Sequence, residues 1–264
     1  MPAPTGVFEV SELAEALNRL LERVERSHRA LEGFTADASH ELRTPITHIL
    51  AQAQWSLDER RSQADQREAL AGIARETEGM IRMVEDLLLI ARGENRQLAV
   101  AARDFDLAEV AHEVEEIAAA MAEDRNVCVR AEVNGPVHAY GDVARTREIL
   151  LNLASNAVRH TSAGTVILTG ERGEGMVGVA VRDTGCGIEP QHLGRIFDRF
   201  YRVDRARSRT HGGAGLGLTI ARLLAELQHG RIEVQSTPGK GSAFVLWLPS
   251  PRLLPHDESR VRVL

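Results

Sequence analysis

The sequence predicts a fold of two parts, a hairpin of two long α-helices that pairs with a second copy into a four-helix bundle, followed by an α/β two-layer sandwich. Two observations lead to this prediction. Apolar residues recur at coiled-coil spacing over residues 10–38 and 70–91, and mixed helical and alternating periods follow them. The chain has 264 residues, which is enough for two domains with cores of their own.

The first two helices are predicted from seams of residues in alternating steps of three and four. The first seam consists of Val10, Leu13, Leu17, Leu20, Val24, Ser27, Leu31, Phe34 and Ala38. The second consists of Leu70, Ile73, Thr77, Met80, Val84, Leu87 and Ala91. The polar stretch 58–66 predicts the loop between them. Because one hairpin cannot cover both apolar stripes, we expect a homodimer.

The second part is expected to begin near Gly93, because the polar segment 93–97 contains a helix-stopping glycine. Helical spacing predicts helices over 107–121, 142–160 and 216–228. Alternation and turn signals predict strands over 127–133, 165–169, 177–182, 231–236 and 243–248. The last two strands are expected to form a hairpin across Thr-Pro-Gly-Lys-Gly, with an unstructured tail after Pro249.

Composition argues against several classes of protein. Acidic residues exceed basic ones by six and no basic cluster alternates with aromatic residues, which argues against nucleic acid as a partner. The two cysteines, Cys128 and Cys186, lack partners at ligand spacing, so neither a disulfide nor a zinc site is predicted. No apolar run approaches the roughly 18 to 20 residues that span a bilayer. A membrane anchor removed from the N-terminal side stays an open alternative.

Five short motifs carry the chemistry. They are, in chain order, Ser39-His-Glu-Leu-Arg-Thr-Pro-Ile, Asn152-Leu-Ala-Ser-Asn-Ala-Val-Arg-His-Thr, Asp183-Thr-Gly-Cys-Gly-Ile, Ile196-Phe-Asp-Arg-Phe-Tyr and Gly213-Ala-Gly-Leu-Gly-Leu. The chain resembles the sensor histidine kinases of two-component systems, in which these are the phospho-acceptor box, the asparagine box, the first glycine box, the phenylalanine box and the second glycine box. The resemblance covers residues 8–249, and five motifs in family order are far more specific than one glycine box. It implies a GHKL-type ATPase fold for the second part, with ATP and Mg²⁺ as ligands.

His40 is the predicted phosphoryl acceptor, because neutral imidazole is a nucleophile and histidine is partly neutral near pH 7. Glu41 beside it can accept the ring proton. Thr44 lies one helical turn further on the same face, where its hydroxyl can orient a water against a phosphoryl-aspartate. The resemblance implies such phosphatase activity. An isolated His-Glu pair would indicate only a solvated helix surface, but the ATP motifs downstream favour catalysis.

The asparagine box supplies the predicted metal and phosphate ligands. Asn152 and Asn156 lie one turn apart, so both amides can face a single ion and phosphate chain. The resemblance implies that Asn156 binds Mg²⁺, whose preferred ligands are oxygens. It also implies that Arg159 contacts phosphate and that His160 stacks near adenine, a position at which relatives often have tyrosine.

The two glycine boxes complete the predicted nucleotide site. Asp183 can accept a hydrogen bond from the exocyclic amine of adenine, while the neighbouring glycines let the base approach closely. The other members of this box are Gly185, Gly187 and Ile188. The second box opens the last helix, where free N–H groups favour phosphate. Its members are Gly213, Gly215, Leu216 and Gly217. The charged segment 202–211 indicates either a lid over the nucleotide or a solvated loop.

Two other functions fit parts of this pattern. Topoisomerase-type and chaperone-type ATPases share the nucleotide fold, but they carry a glutamate base where this chain has Asn152. A catalytically silent scaffold would not need phosphate, magnesium and adenine positions together. The sequence therefore favours in-line transfer of the ATP γ-phosphoryl group to His40, with Glu41 as the base. The resemblance implies onward transfer to an aspartate in the receiver domain of a response regulator.

The resemblance also divides the chain. Residues 1–30 resemble the end of a HAMP signalling helix, and 31–95 are expected to form the dimerisation and phosphotransfer domain. Residues 96–250 are expected to form the ATP-binding domain, and 251–264 a disordered tail. We expect either a cytoplasmic protein or the cytoplasmic portion of an inner-membrane sensor.

Overall fold

A computed structural model describes residues 5–58, 61–95, 97–203 and 214–251 of the chain. The chain divides into two compact units, residues 1–80 and 81–264. The helices of the first unit precede a mixed α/β domain in the second, so the predicted fold class is confirmed.

Two long helices open the chain, α1 over Thr5–Ser56 and α2 over Gln63–Glu94. The loop between them ends earlier than predicted because Ser62 and Asp65 form a capping box at the start of α2. The Asp65 amide donates to Ser62 Oγ at 3.2 Å, and the Ser62 amide donates to Asp65 Oδ2 at 3.0 Å. The hydrogen bonds from the Ser62 hydroxyl and amide lower the pKa of the Asp65 carboxyl. The reciprocal hydrogen bonds of Ser62 and Asp65 therefore stabilise the first turn of α2.

Many large apolar side chains of the first unit are exposed. They are Leu17, Leu20, Leu21, Ile46, Leu50, Trp55, Leu57 and Leu70. Three of them, Leu17, Leu20 and Leu70, belong to the predicted seams. The side chains at the remaining positions of the first seam up to Phe34 lie outside the described residues.

The second unit contains the end of α2 and a mixed set of helices and strands. Its further helices are α3 (Leu107–Met121), α4 (Val143–His160), α5 (Pro190–Leu193) and α6 (Gly217–Leu227). Its strands are β1 (Arg103–Asp106), β2 (Asn126–Glu132), β3 (His138–Gly141), β4 (Ala163–Gly173), β5 (Met176–Asp183), β6 (Arg231–Thr237) and β7 (Gly241–Pro249). Every predicted helix and strand of this unit is present. The additional elements β1, β3 and α5 have four residues each, too few for a recognisable period.

One sheet of five strands forms the base of the second unit, in the order β2-β4-β5-β7-β6. Only β2 and β4 pair in parallel, and the other neighbours are antiparallel. Along β7, Phe244, Leu246 and Leu248 are buried, whereas Val245 and Trp247 between them are partly exposed. This alternation means that one face of the sheet carries the core. Helices α3 and α6 both pack against α4, which also contacts β4, β5 and β7.

A buried hydrogen-bond network fixes the start of α4. Asp142 caps the helix by accepting from the Ala144 amide at 3.0 Å, and its second oxygen accepts from the Ala101 amide at 2.9 Å. The Asp142 amide donates to Gln228 Oε1 at 2.7 Å, and the Thr146 hydroxyl donates to the same oxygen at 3.3 Å. Because Gln228 follows α6, this network joins the beginning of α4 to the end of α6.

The part of α2 within the second unit carries Asp86, a carboxyl group with a raised pKa. Burial and the nearby carboxylates of Glu148 and Glu85 raise the pKa of Asp86 to about 6, against a lowering by Arg82. The raised pKa means that folding favours the protonated form. Stability therefore falls as the pH rises from about 3.8 to about 6, and the full penalty for ionised Asp86 is present above about pH 6.

We expect Asp86→Asn to raise the free energy of unfolding of the second unit by about 1–3 kcal/mol at pH 8. The gain should be much smaller at pH 4, where Asp86 is protonated in the folded state. Urea unfolding followed by the fluorescence of Trp247, with Trp55 replaced by phenylalanine in every variant, measures both values. Glu174→Gln, in the exposed turn between β4 and β5, makes the same change of charge and should have little effect. Equal gains at the two pH values would contradict an effect of ionisation.

Candidate functional sites

The predicted phospho-acceptor box lies in the middle of α1. His40 and Thr44 are exposed one turn apart, and Glu41 is partly buried. The Thr44 hydroxyl reaches the His40 carbonyl oxygen only at 3.5 Å, and Pro45 follows directly within the helix. Since proline has no amide hydrogen, it cannot bond the Glu41 carbonyl. The imidazole is thus open to solvent on a locally weakened helix.

The asparagine box lies on α4, which places its polar side chains along one strip of a helix otherwise packed in the core. Asn152 and Asn156 are partly buried, and their side-chain amides have no hydrogen-bond partner among the described residues. A Cβ atom at Gly217 would lie 2.9 Å from Asn152 Oδ1. The asparagine box therefore adjoins the start of α6, as a shared ligand requires.

Arg159 and His160 end the same helix. Burial lowers the pKa of Arg159, and the positive charges of Arg202 and Arg125 lower it further. A guanidinium stays charged despite such shifts, so three cations converge at this end of α4. The His160 ring is exposed, and its carbonyl oxygen accepts from the Cys186 amide at 3.3 Å. The first glycine box is thereby attached to the end of α4.

Asp183 occupies the end of β5. Its Oδ1 accepts from the Gly185 amide at 2.9 Å and from the Ser242 amide at 3.3 Å. Burial raises the pKa of the Asp183 carboxyl, while these two hydrogen bonds oppose the rise. The carboxyl group is thus oriented before any ligand binds. Sequence reasoning missed Ser242, which comes from β7 and carries no signal within the motif.

The glycines of the first box fit where no side chain does. A Cβ atom at Gly185 would meet the His160 carbonyl oxygen, and Gly187 has φ of +68° with its missing Cβ directed at the Thr237 carbonyl. The Ile188 amide donates to Ser236 Oγ at 2.8 Å. The box is therefore held between α4 and the β6–β7 hairpin.

The second glycine box lies partly outside the described residues, which exclude 204–213 and therefore Gly213 and residues 204–211 of the predicted lid. Gly215 has φ of +73°, and its carbonyl accepts from the Phe200 amide at 3.1 Å. Leu216 is buried, so only its backbone can face a phosphate. Gly217 is the first residue of α6, whose free amides form an anion-binding end.

Phe200 itself has φ of +58°, a left-handed conformation that non-glycine residues rarely adopt. The Thr219 hydroxyl donates to the Phe197 carbonyl at 3.0 Å. The phenylalanine box is therefore tied to the start of α6 by two bonds, one through Gly215 and one through Thr219. The motif spacing alone did not predict this connection.

Taken together, α4, β5 and the start of α6 present amide, carboxyl, guanidinium and free backbone N–H groups around one region of the second unit. The carboxyl group suits an exocyclic amine, and the cations and N–H groups suit phosphates. The arrangement fits a nucleotide.

Comparisons with known proteins agree with this geometry. The His Kinase A (phospho-acceptor) domain matches residues 30–96, and the histidine kinase-, DNA gyrase B- and HSP90-like ATPase domain matches residues 141–252. The chain belongs to the sensor histidine kinases. No helix in the described part of this kinase is long and apolar enough to cross a membrane.

Curated relatives support the assignment over nearly the whole chain. Sensor histidine kinase CusS of Escherichia coli K12 is 36% identical over 247 residues, which are 93% of this chain and 51% of the relative. Sensor protein IrlS of Burkholderia pseudomallei is 37% identical over 244 residues, 92% of this chain and 52% of the relative. This kinase chain thus spans about half the length of the curated relatives it matches.

Solved structures share the fold. Histidine kinase AdeS of Acinetobacter baumannii aligns with a TM-score of 0.64 at 23% identity, over 80% of this chain and 98% of that one. Full-length ShkA, whose structure holds AMPPNP, aligns with a TM-score of 0.63 at 29% identity, over 83% of this chain and 45% of that one.

We expect Gly187→Ala to lower the free energy of unfolding by at least about 2 kcal/mol, because a left-handed alanine is strained and its Cβ would meet the Thr237 carbonyl. Nucleotide binding should weaken with it, since the box also positions Asp183. Chemical unfolding and calorimetric titration with ATP measure the two effects. Gly194→Ala is the matched control, because Gly194 has open space around it and φ of −68°. Identical behaviour of the two variants would disprove the proposed packing of the box.

Proposed function

We propose that this chain is an ATP-dependent autokinase that transfers the γ-phosphoryl group of ATP to His40. The observation that carries the proposal is the combination of an exposed imidazole beside Glu41 with a nucleotide region that contains Asn152 in place of a general base. A ring nitrogen of His40 attacks the γ-phosphorus, the bond to the bridging oxygen of ADP breaks, and Glu41 accepts the ring proton. ADP leaves with the electron pair of the broken bond.

The nucleotide roles follow from the chemical groups of the site. Asp183 accepts from the exocyclic amine of adenine, and His160 contacts the base. Asn156 binds Mg²⁺ through its amide oxygen, which has no competing partner among the described residues. The fit is chemical, because one neutral oxygen plus phosphate oxygens suits an ion that retains water. When bound, Mg²⁺ neutralises phosphate charge.

The phosphate chain is assigned to Arg159 and to the backbone of the second glycine box. Gly213, Gly215, Leu216 and Gly217 offer amide groups rather than side chains to it. The side chain of Asn152 lies beside Gly217. Its amide is therefore close to the backbone groups that are proposed to bind phosphate.

A plain ATP hydrolase is the second candidate considered. It needs a carboxylate to activate water. Asn152 occupies the position of that glutamate in ATPases of this fold, and an amide is not a base. If His40 is the nucleophile, no water has to be activated at this position, and the chain does not need the glutamate there.

The phosphoryl group of His40 is proposed to pass to an aspartate in the receiver domain of a response regulator. We further propose that the chain acts as a homodimer. Exposed Ile46, Leu50, Leu57 and Leu70 support this, because a second hairpin can cover them. No nucleic acid partner is proposed. We place the reaction in the cytoplasm, where ATP is supplied.

We retain the proposed division into a signalling helix over 1–30, a dimerisation and phosphotransfer domain over 31–95, an ATP-binding domain over 96–250 and a tail over 251–264. These bounds keep all five motifs inside the two central domains.

The autokinase is tested with γ-labelled ATP and Mg²⁺. We expect His40→Gln to abolish a base-stable, acid-labile label while ATP binding persists. His48→Gln is the matched control, because His48 is exposed on the same helix and its Nδ1 lies 3.6 Å from Glu76 Oε1. It should label normally. Label retained in His40→Gln would refute the proposal.

Thr44 is proposed to serve the reverse step, dephosphorylation of the regulator. Its hydroxyl is bound to the His40 carbonyl only at 3.5 Å, so it remains able to hold a water. By contrast, the Thr47 hydroxyl donates to the Arg43 carbonyl at 2.8 Å. The two threonines lie on similar faces of α1, but only the Thr47 hydroxyl is engaged in a short hydrogen bond to the helix backbone.

We expect Thr44→Ala to retain autophosphorylation and to lower kcat for regulator dephosphorylation by about 10- to 100-fold. Thr47→Ala should change this rate constant little. Measuring kcat at saturating regulator separates catalysis from docking. A Thr44→Ala rate equal to that of the parent would rule out the phosphatase role of this threonine.

A further inference from the structure

A polar cleft of about 450 Å³ lies at the end of α4, where the α4–β4 connection faces the α3–β2 loop. Its lining residues are Asp124, Arg125, Asn126, Arg159, Thr161 and Ser162. Arg159 is also proposed to contact the phosphate chain of ATP, whereas Arg125 does not belong to any of the five motifs.

Arg125 is held in place at the cleft. Its Nη1 donates to the Val158 carbonyl oxygen at 3.3 Å, which anchors the guanidinium beside the last turn of α4. The charge is close enough to Arg159 to lower the pKa of that residue. Two cations are therefore kept near each other by the fold.

Asp124 also lines the cleft, but it forms no ion pair with either of these two cations. Among the described residues, neither Arg125 nor Arg159 has a carboxylate oxygen within 4.0 Å. Other arginines of the second unit differ, since Arg145, Arg147 and Arg182 each pair with a glutamate. Two like charges held together without a direct ion-pair partner repel each other, and an anionic ligand would reduce this repulsion.

Neutral groups of the cleft complete the donor set. The Thr161 hydroxyl is already used, since it donates to the Ala157 carbonyl at 2.8 Å. Among the described residues, the Asn126 amide and the Ser162 hydroxyl have no side-chain hydrogen-bond partner. Arginine, amide and hydroxyl donors are the groups that bind phosphate oxygens.

We propose that Arg125 is a further phosphate-binding residue, which holds part of the phosphate chain of ATP in this cleft together with Arg159. The inference rests on the proposed nucleotide site and extends it to the α3–β2 loop. Asp124 lines the same cleft with the opposite charge. Removal of its charge should therefore have the opposite effect to removal of the Arg125 charge.

The test compares Arg125→Gln and Asp124→Asn by calorimetric titration with ATP, ADP and adenosine. We expect Arg125→Gln to weaken ATP binding about three- to tenfold, as the loss of one nearby unit charge predicts. ADP should lose less and adenosine nothing. Asp124→Asn should tighten ATP binding. Arg130→Gln is the matched control, because Arg130 is an exposed arginine of β2 that does not line the cleft, and it should bind ATP as the parent does.

The remaining outcomes are distinct. Failure of the parent protein to bind ATP would defeat the proposed function before any variant is made. If the parent binds ATP and Arg125→Gln binds it equally well, or loses adenosine affinity to the same extent, the role of Arg125 is refuted. Binding of inorganic phosphate to the ATP-saturated parent would assign the cleft to a separate anion and would also overturn the proposal.

Discussion

The buried hydrogen-bond network around Asp142 and Gln228 is the constraint on which the nucleotide region depends. It fixes the start of α4 against the end of α6, and both helices then pack over the sheet. The asparagine box lies on α4 and the second glycine box opens α6. Their separation is thus decided by contacts outside either motif. A substitution in the network would disturb both boxes together, whereas a substitution in one box leaves the framework intact.

The polar side chains of α4 that are proposed to bind the nucleotide lie on the strip of this helix that does not pack into the core. Leu150 and Leu153 are buried and hold the helix in the core, while the side-chain amides of Asn152 and Asn156 on the same helix have no hydrogen-bond partner among the described residues. Polar groups without partners reduce the stability of a folded protein unless a ligand satisfies them. The same holds for the converging guanidinium groups at the end of the helix. These groups therefore lie in the proposed binding site, while the buried polar groups at the start of α4 are hydrogen-bonded. A nucleotide has the amine and phosphate groups that fit this site.

Sequence reasoning succeeded where the signal is local. Helical and alternating periods predicted the hairpin and the large sheet, and the one-turn spacing of Asn152 and Asn156 predicted their common strip on α4. It failed where the determinant is remote in sequence. The backbone amide of Asp142 donates to the side-chain oxygen of Gln228, which lies 86 residues further along the chain. The left-handed Phe200 depends on the Gly215 carbonyl, and no residue of its own motif indicates it.

The central claim is that His40 receives the phosphoryl group, and mass spectrometry of the parent protein tests it most directly. After incubation with ATP and Mg²⁺, trypsin digestion at neutral to basic pH preserves phosphohistidine and releases the peptide 30–43, whose only histidine is His40. The account predicts one phosphoryl group on this peptide, on the imidazole, and none on the peptides that contain His28 or His48. An unmodified peptide 30–43 with phosphoryl groups elsewhere on the chain would contradict it.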